Sequence, residues 1–213
     1  MLHIVDFDDT VFFTSEILRK VYRDTAKKLY GKKFVKDVDI FSEEDWEWAR
    51  SQPRGFVEPI LTKHNLLYSI ETLKEEKRKI YPYNYYEDIK VNVPFLQQLF
   101  SKNRMPWDKF IICTNSEEQV VRNILGFYKL QNFFDDIVGR NTFLFTECKP
   151  STSMFKSIVG NSLNADILKI DPRITMYDDS DFGLESCRNF KKEMEKLPTK
   201  ISIQIQDVND CVV

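Results

Sequence analysis

Glycine and proline are scarce in this chain, at six and eight among 213 residues. With so few breakers and 42% hydrophobic residues, the chain reads as packed and globular, and long disordered tracts are excluded. Histidine is scarcer still: only His3 and His64 occur, and neither sits in a pattern that gives it a role. The four cysteines (Cys113, Cys148, Cys187 and Cys211) form no C-x-x-C and no metal-type spacing. That excludes a cysteine-held metal and points to a reducing compartment; the cytoplasm is the expected location, with the nucleus left open. No apolar run approaches the length of a membrane span, and no membrane partner is expected. With the first candidate functional residue at Asp6, no cleaved signal peptide is expected. Charge of one sign is lacking too. Thirty-one Lys and Arg stand against 33 Asp and Glu, a net charge of −2, so no strong global attraction to nucleic acid is expected. The balance is uneven along the chain: residues 11–105 carry +4 and the remainder −6.

What is present is an ordered alternation. Leu2 to Val5 is an apolar run short enough for a buried strand, and it ends in Asp6, with Asp8 two residues on. A helix follows over about Thr14–Tyr30, with Ile17, Val21, Thr25 and Leu29 recurring every four residues and Gly31 ending it. Residues 34–90 are harder to order. Glu43–Arg50 reads as a short helix carrying Trp46 and Trp48, residues 51–55 as a loop, and Asn65–Ile80 as a helix that Tyr81-Pro82 ends. From about residue 90 the pattern is regular. A helix around Pro94–Phe100 precedes the strand Phe110–Cys113. Ser116 to Gln119 has the form of a capping box opening a helix. A short strand near Ile137-Val138, the apolar stretch Phe143-Leu144-Phe145, a helix over 152–159, a strand over 174–177, a helix over about 184–197 and an edge strand through Ile201, Ile203 and Ile205 complete the chain. Strands alternating with helices imply α/β architecture with a parallel sheet and right-handed crossovers.

Four stations fall at strand ends. The first is Asp6-x-Asp8-x-Thr10. Two carboxylates there repel each other, and a cation, a hydrogen-bond network or a shared proton must compensate; a hard divalent ion such as Mg²⁺ is one fitting answer. Read alone, the pair is equally a polar strand-to-loop junction. The second station is Thr114-Asn115-Ser116 before a helix, where hydroxyls, amides and the helix dipole can face an anion, although Ser116 also explains itself as an N-cap. The third is Lys149-Pro150. The fourth is Asp178-Asp179 after the strand at 174–177.

Taken together and in this order, the four stations resemble the haloacid dehalogenase (HAD) superfamily of phosphotransferases, over residues 2–10 and about 90–185. The resemblance implies a Rossmann-like fold with a central parallel sheet, formed by residues 1–13 and 91–213, and an inserted, mostly α-helical cap at 14–90. It implies a Mg²⁺-dependent phosphatase that hydrolyses a phosphomonoester through an aspartyl-phosphate. Asp6 would be the nucleophile and Asp8 the general acid and base. Thr114, Asn115 and Lys149 would bind the phosphoryl group, Lys149 also aiding catalysis. Asp6, Asp178 and the Asp8 carbonyl would ligate Mg²⁺, with Asp179 orienting lysine or metal-bound water; which of Asp178 and Asp179 is the direct ligand stays open. Two departures from the frequent form stand out: Asp9 where glycine is common, and Tyr177 before the last acid pair. Asp181 reads as a helix N-terminal acid.

The cap would select the substrate, expected to be a small phosphorylated molecule. Trp46, Trp48, Tyr83, Tyr85 and Tyr86 could stack on a base or sugar and Arg50, Arg54 and Lys63 could meet a second anion, or the aromatics could simply form the cap's core. A fainter likeness to HAD domains of RNA repair makes a nucleic-acid end an alternative substrate, although no basic stripe accompanies it. A non-catalytic binding or regulatory protein of the same fold is the other alternative.

Overall fold

The computed structural model describes residues 1–50, 57–66, 70–101, 105–164, 166–198 and 200–211. In chain order the elements are β1 (Leu2–Val5), β2 (Phe12–Phe13), α1 (Ser15–Tyr30), α2 (Lys32–Val38), α3 (Glu43–Arg50), α4 (Val57–Lys63) and α5 (Ile70–Asn84). Then come β3 (Lys90–Val91), α6 (Val93–Leu99), β4 (Lys109–Cys113), α7 (Glu118–Phe127), β5 (Asp136–Val138), α8 (Ser153–Asn164) and α9 (Ile167–Ile170). The last are β6 (Arg173–Asp178), α10 (Asp181–Met194) and β7 (Ser202–Asp207). The chain divides into two compact units, residues 1–13 with 91–213, and residues 14–90.

The first unit is built on a five-stranded sheet in the order β5-β4-β1-β6-β7, and every pairing is parallel. β1 lies at its centre and is buried along its whole length, which accounts for a run that is apolar but for His3 in place of an alternating one. Its register sets Val5 beside Ile112 of β4 and Tyr177 of β6. One core gathers Ile4, Ile111, Met154, Phe155, Met176 and Phe190 from strands, α8 and α10. His3 is buried as well: its ring stacks on Phe110 at 4.4 Å and its Nδ1 meets the Tyr177 hydroxyl at 3.0 Å. A short two-stranded sheet pairs β2 with β3.

The second unit is helical, around Tyr22, Phe41, Trp46, Ile60, Leu61 and Leu73. α1 buries Ile17, Val21, Tyr22, Thr25 and Ala26 on one stripe and stops at Gly31, whose φ of 92° is open chiefly to glycine. The expected helix over Asn65–Ile80 begins later and ends later than the sequence suggests. Asn65 adopts left-handed φ (51°), and the Leu66 amide reaches back to the Leu61 carbonyl at 3.1 Å, so this stretch closes α4. α5 starts at Ile70 and continues past Pro82 to Asn84. Trp46, Tyr85 and Tyr86 are buried as core, whereas Trp48 is partly exposed with the Lys63 ammonium 5.2 Å from its ring. The loop expected at 51–55, with Arg54, and the side chains of Arg50 and Tyr83 lie outside the described residues. Phe143 falls between two single-turn 3₁₀ segments, Arg140–Thr142 and Phe145–Glu147, and takes no place in the sheet. Among the described residues, no helix is long and apolar enough to cross a membrane.

Candidate active site

From β1 the strand order runs outward in both directions, through β4 on one side and β6 on the other, so the loops leaving these three strands diverge at their carboxyl ends. The first, second and fourth sequence stations sit there; the third does not follow a strand, since Lys149 lies between the 3₁₀ segment Phe145–Glu147 and α8 and reaches in by its side chain. Asp6 follows β1 directly, and its amide still donates to the Tyr177 carbonyl at 2.9 Å. Asp178 is the last residue of β6. Lys149 joins them: its ammonium donates to Asp6 Oδ1 at 2.6 Å and to Asp178 Oδ2 at 2.7 Å. The three side chains are only 6%, 11% and 1% exposed, so these charges face each other with little water to screen them.

Burial works against the Lys149 charge, but Asp178 and Asp6 outweigh it and hold the ammonium well above its ordinary value. Burial pushes the Asp6 carboxyl well above the usual range; Lys149 opposes this, and Asp178, Asp179 and Asp8 add to it. Asp179 is pushed up to about 7 by burial and by Asp178, while its hydrogen bond from Thr10 (2.9 Å) pulls the other way. Asp6, Asp178 and Asp179 bring carboxylate oxygens within 4.8 Å of one another. Asp6 and Asp178 are buried and Asp179 is half-buried; with all three ionised against one ammonium, negative charge is in excess, and an all-oxygen donor set of this kind fits a hard divalent cation such as Mg²⁺.

The Asp8 carboxylate stands outside that acidic group. Its Oδ2 accepts from Ser116 Oγ at 2.5 Å and from Thr114 Oγ1 at 3.4 Å. The turn beneath it is braced: the Ser116 amide donates to Thr114 Oγ1 at 3.0 Å, the Thr114 amide to the Val138 carbonyl at 3.0 Å, and the Arg140 amide to the Ser116 carbonyl at 3.0 Å. Gly139 lies so close that a Cβ there would fall 2.7 Å from the Glu118 amide nitrogen. The expected capping box does not form. Helix α7 begins one residue later, with Glu117 at the N-cap position and no side-chain cap bond, so the Ser116 hydroxyl goes to Asp8 instead.

Asn115 uses both ends of its amide on the Lys149 backbone. Its Nδ2 donates to the Lys149 carbonyl at 3.0 Å, and its Oδ1 accepts from the Lys149 amide at 2.9 Å. It therefore ties the second station to the third. Asp9 takes left-handed φ, 58°, a conformation that aspartate tolerates better than most residues, which accounts for its standing where glycine is frequent. Asp181 opens α10 as a first-turn acid.

Two further residues shape the site without having stood out in the sequence. Ser180 donates to Asp178 Oδ1 from its amide (3.1 Å) and its hydroxyl (2.8 Å), and the same hydroxyl accepts the Gly183 amide at 3.1 Å to cap α10. Gly183 leaves room for Asp178: a Cβ there would lie 2.0 Å from Asp178 Oδ1. The only sequence hint was a glycine in the first turn of a helix immediately after an acid pair.

No protein-family model matches this chain, and no curated protein does. Solved structures do. A candidate phosphoglycolate phosphatase from Lactobacillus plantarum superposes with TM-score 0.66 at 13% identity, over 98% of this chain and 96% of that one. A HAD-superfamily hydrolase of subfamily IA from Geobacter sulfurreducens gives TM-score 0.59 at 15% identity, over 99% and 97%. A haloacid dehalogenase-like hydrolase from Streptococcus pneumoniae gives TM-score 0.60 at 12% identity, over 98% and 95%. The chain has the fold of the HAD hydrolases.

Proposed function

We propose that this protein is a phosphatase that hydrolyses a small phosphomonoester through an aspartyl-phosphate on Asp6. The observation that carries the reading is the buried Lys149 ammonium bridging Asp6 and Asp178, with the Asp8 carboxylate held two residues beyond Asp6. An Asp6 oxygen attacks phosphorus; the P–O bond to the alcohol breaks, and the leaving oxygen takes a proton from Asp8. Water then attacks the phosphoryl group on Asp6, gives its proton to Asp8, and phosphate departs with the Asp6 carboxylate restored. Lys149 and the Thr114 hydroxyl hold phosphoryl oxygens, and Lys149 offsets the repulsion between Asp6 and an incoming anion. Asp6, Asp178 and Asp179, with the Asp8 main-chain carbonyl, would hold Mg²⁺. When bound, that ion supplies charge stabilisation for the transferring group. Residues 14–90 serve as the selective element, and the likeness to a candidate phosphoglycolate phosphatase supports a small substrate.

The test is phosphate release from a panel of phosphomonoesters that includes phosphoglycolate, sugar phosphates, nucleotides and phosphorylated oligonucleotide ends, run with Mg²⁺ and with chelator. Release is expected to need the metal and to fall by at least about a thousandfold in Asp6→Asn, as loss of a nucleophile requires. Normal turnover in that variant sinks the assignment of Asp6, and no release from any ester sinks the phosphatase.

A further inference from the structure

We infer that Ser116 is a positioning residue for Asp8, aiming its carboxyl at the oxygen that leaves phosphorus. The inference rests on the proposed role of Asp8 as proton donor, and three observations carry it. First, Ser116 Oγ lies 2.5 Å from Asp8 Oδ2, closer than Thr114 Oγ1, which at 3.4 Å from the same oxygen lies near the limit of a hydrogen bond. Second, Ser116 forgoes the helix cap that its sequence context offers, and α7 starts with no side-chain cap at all. A residue that breaks a favourable local rule is expected where a site makes the competing demand. Third, Ser116 is braced from below: Arg140 donates to its carbonyl, and Gly139 packs so closely that a Cβ would fall 2.9 Å from that carbonyl oxygen. The hydroxyl thus offers Asp8 a fixed point.

The two hydroxyls divide the work. The Thr114 oxygen accepts the Ser116 amide, and its own proton is held only loosely by Asp8, so it can turn to a phosphoryl oxygen. Ser116 then remains as the hydroxyl that keeps Asp8 in place while substrate is bound. Without it, Asp8 keeps its chemistry and loses its aim, and small misplacements of a proton donor cost rate steeply. Loss of aim matters in proportion to the need for a proton. An alkoxide must be protonated as the P–O bond breaks, whereas p-nitrophenolate leaves unaided.

The experiment compares kcat/KM for p-nitrophenyl phosphate and for an alkyl phosphomonoester in the wild type, Ser116→Ala and Ser116→Thr. This parameter reports the steps through alcohol release, so the later hydrolysis common to both esters does not mask the difference. In Ser116→Ala, the alkyl ester is expected to lose at least about tenfold more than the aryl ester, a fraction of what general acid catalysis contributes. Ser116→Thr is expected to restore most of the discrimination. Ser116→Cys, a weak donor of similar size, serves if alanine loosens the turn, as judged by thermal unfolding. Equal losses on both esters, no loss on either, or no rescue by threonine would each overturn the inference. The alkyl ester is the best alkyl substrate of the panel above, and a wild-type protein inactive on every ester of that panel fails the phosphatase reading itself, before any variant is compared.

Discussion

Gly183 has no side chain at the one point where α10 passes the Asp178 carboxylate, and a methyl group there would overlap all three carboxylate atoms, at 2.0 to 2.1 Å. Asp178 cannot simply swing aside, because Lys149 holds one oxygen and Ser180 the other. Gly183→Ala must therefore displace either the carboxylate or the start of α10. The predicted result is a loss of phosphate release of a hundredfold or more, against a stability cost of about 1–3 kcal/mol, the usual range for overpacking. Activity and thermal unfolding measured on one preparation check it; near-normal turnover would show that the close approach is not needed. Such residues were hidden in the sequence because their meaning lies in space. The acids and Thr114 are legible as strand-end residues, since an apolar run names the strand; Lys149 follows a 3₁₀ turn and was legible only from its place in the order of motifs. Ser180 and Gly183 acquire theirs from the path of a neighbouring strand and helix. Tyr177, the departure from the common form, fits because its ring packs edge-on against Phe95 and its hydroxyl finds His3.

Among the elements, the junction between α3 and α4 holds a buried charge with a readable pH signature. Asp45 on α3 is almost fully buried and accepts from the Phe41 amide (3.0 Å), the Lys63 ammonium (2.7 Å) and His64 Nε2 (2.7 Å). Burial alone would raise its carboxyl pKa; the hydrogen bonds from Lys63 and His64 win and hold it below the usual range. A carboxyl so depressed stabilises the fold above its unfolded value of about 4 and loses that contribution as pH falls through the folded value. Asp45→Asn is predicted to cost about 1.5–3 kcal/mol at neutral pH, the range for hydrogen bonds to charged groups. The gap from wild type should close as pH drops below about 4. Urea unfolding across that range tests it, and a gap independent of pH would assign the loss to packing instead. The elements of this unit were the least legible of the chain. Asp39 and Asn65 close their helices with left-handed backbone, so the breaks at α2 and α4 carry no glycine to announce them. The strands of the parallel sheet were easier, because burial on both faces makes β1, β4 and β6 mostly apolar, with His3 and Thr175 as the polar exceptions inside β1 and β6.

For the whole molecule, the organising fact is that residues 14–90 interrupt a unit whose sheet, core and acidic cluster come entirely from the rest of the chain. Each unit has its own apolar cluster, the condition for folding with some independence. The two ends of the interruption are joined from within the first unit: the Asn92 amide donates to the Val11 carbonyl at 2.9 Å, and its side chain to the Thr10 carbonyl at 3.0 Å. A short linker can therefore replace residues 14–90 at little closure cost, since that cost grows only slowly with loop length. If the insertion selects substrate while the sheet ends carry the chemistry, the shortened protein should still hydrolyse p-nitrophenyl phosphate within about tenfold of the full chain, while its preferences across the phosphomonoester panel flatten, because selectivity comes from binding contacts beyond the reacting group. Circular dichroism establishes that the shortened chain is folded, and the ratio of kcat/KM between the best and worst esters is the number to follow. An unchanged ratio in a folded protein would place selection in the sheet unit itself. Loss of all hydrolysis with the fold intact would give residues 14–90 a part in the chemistry as well as in selection.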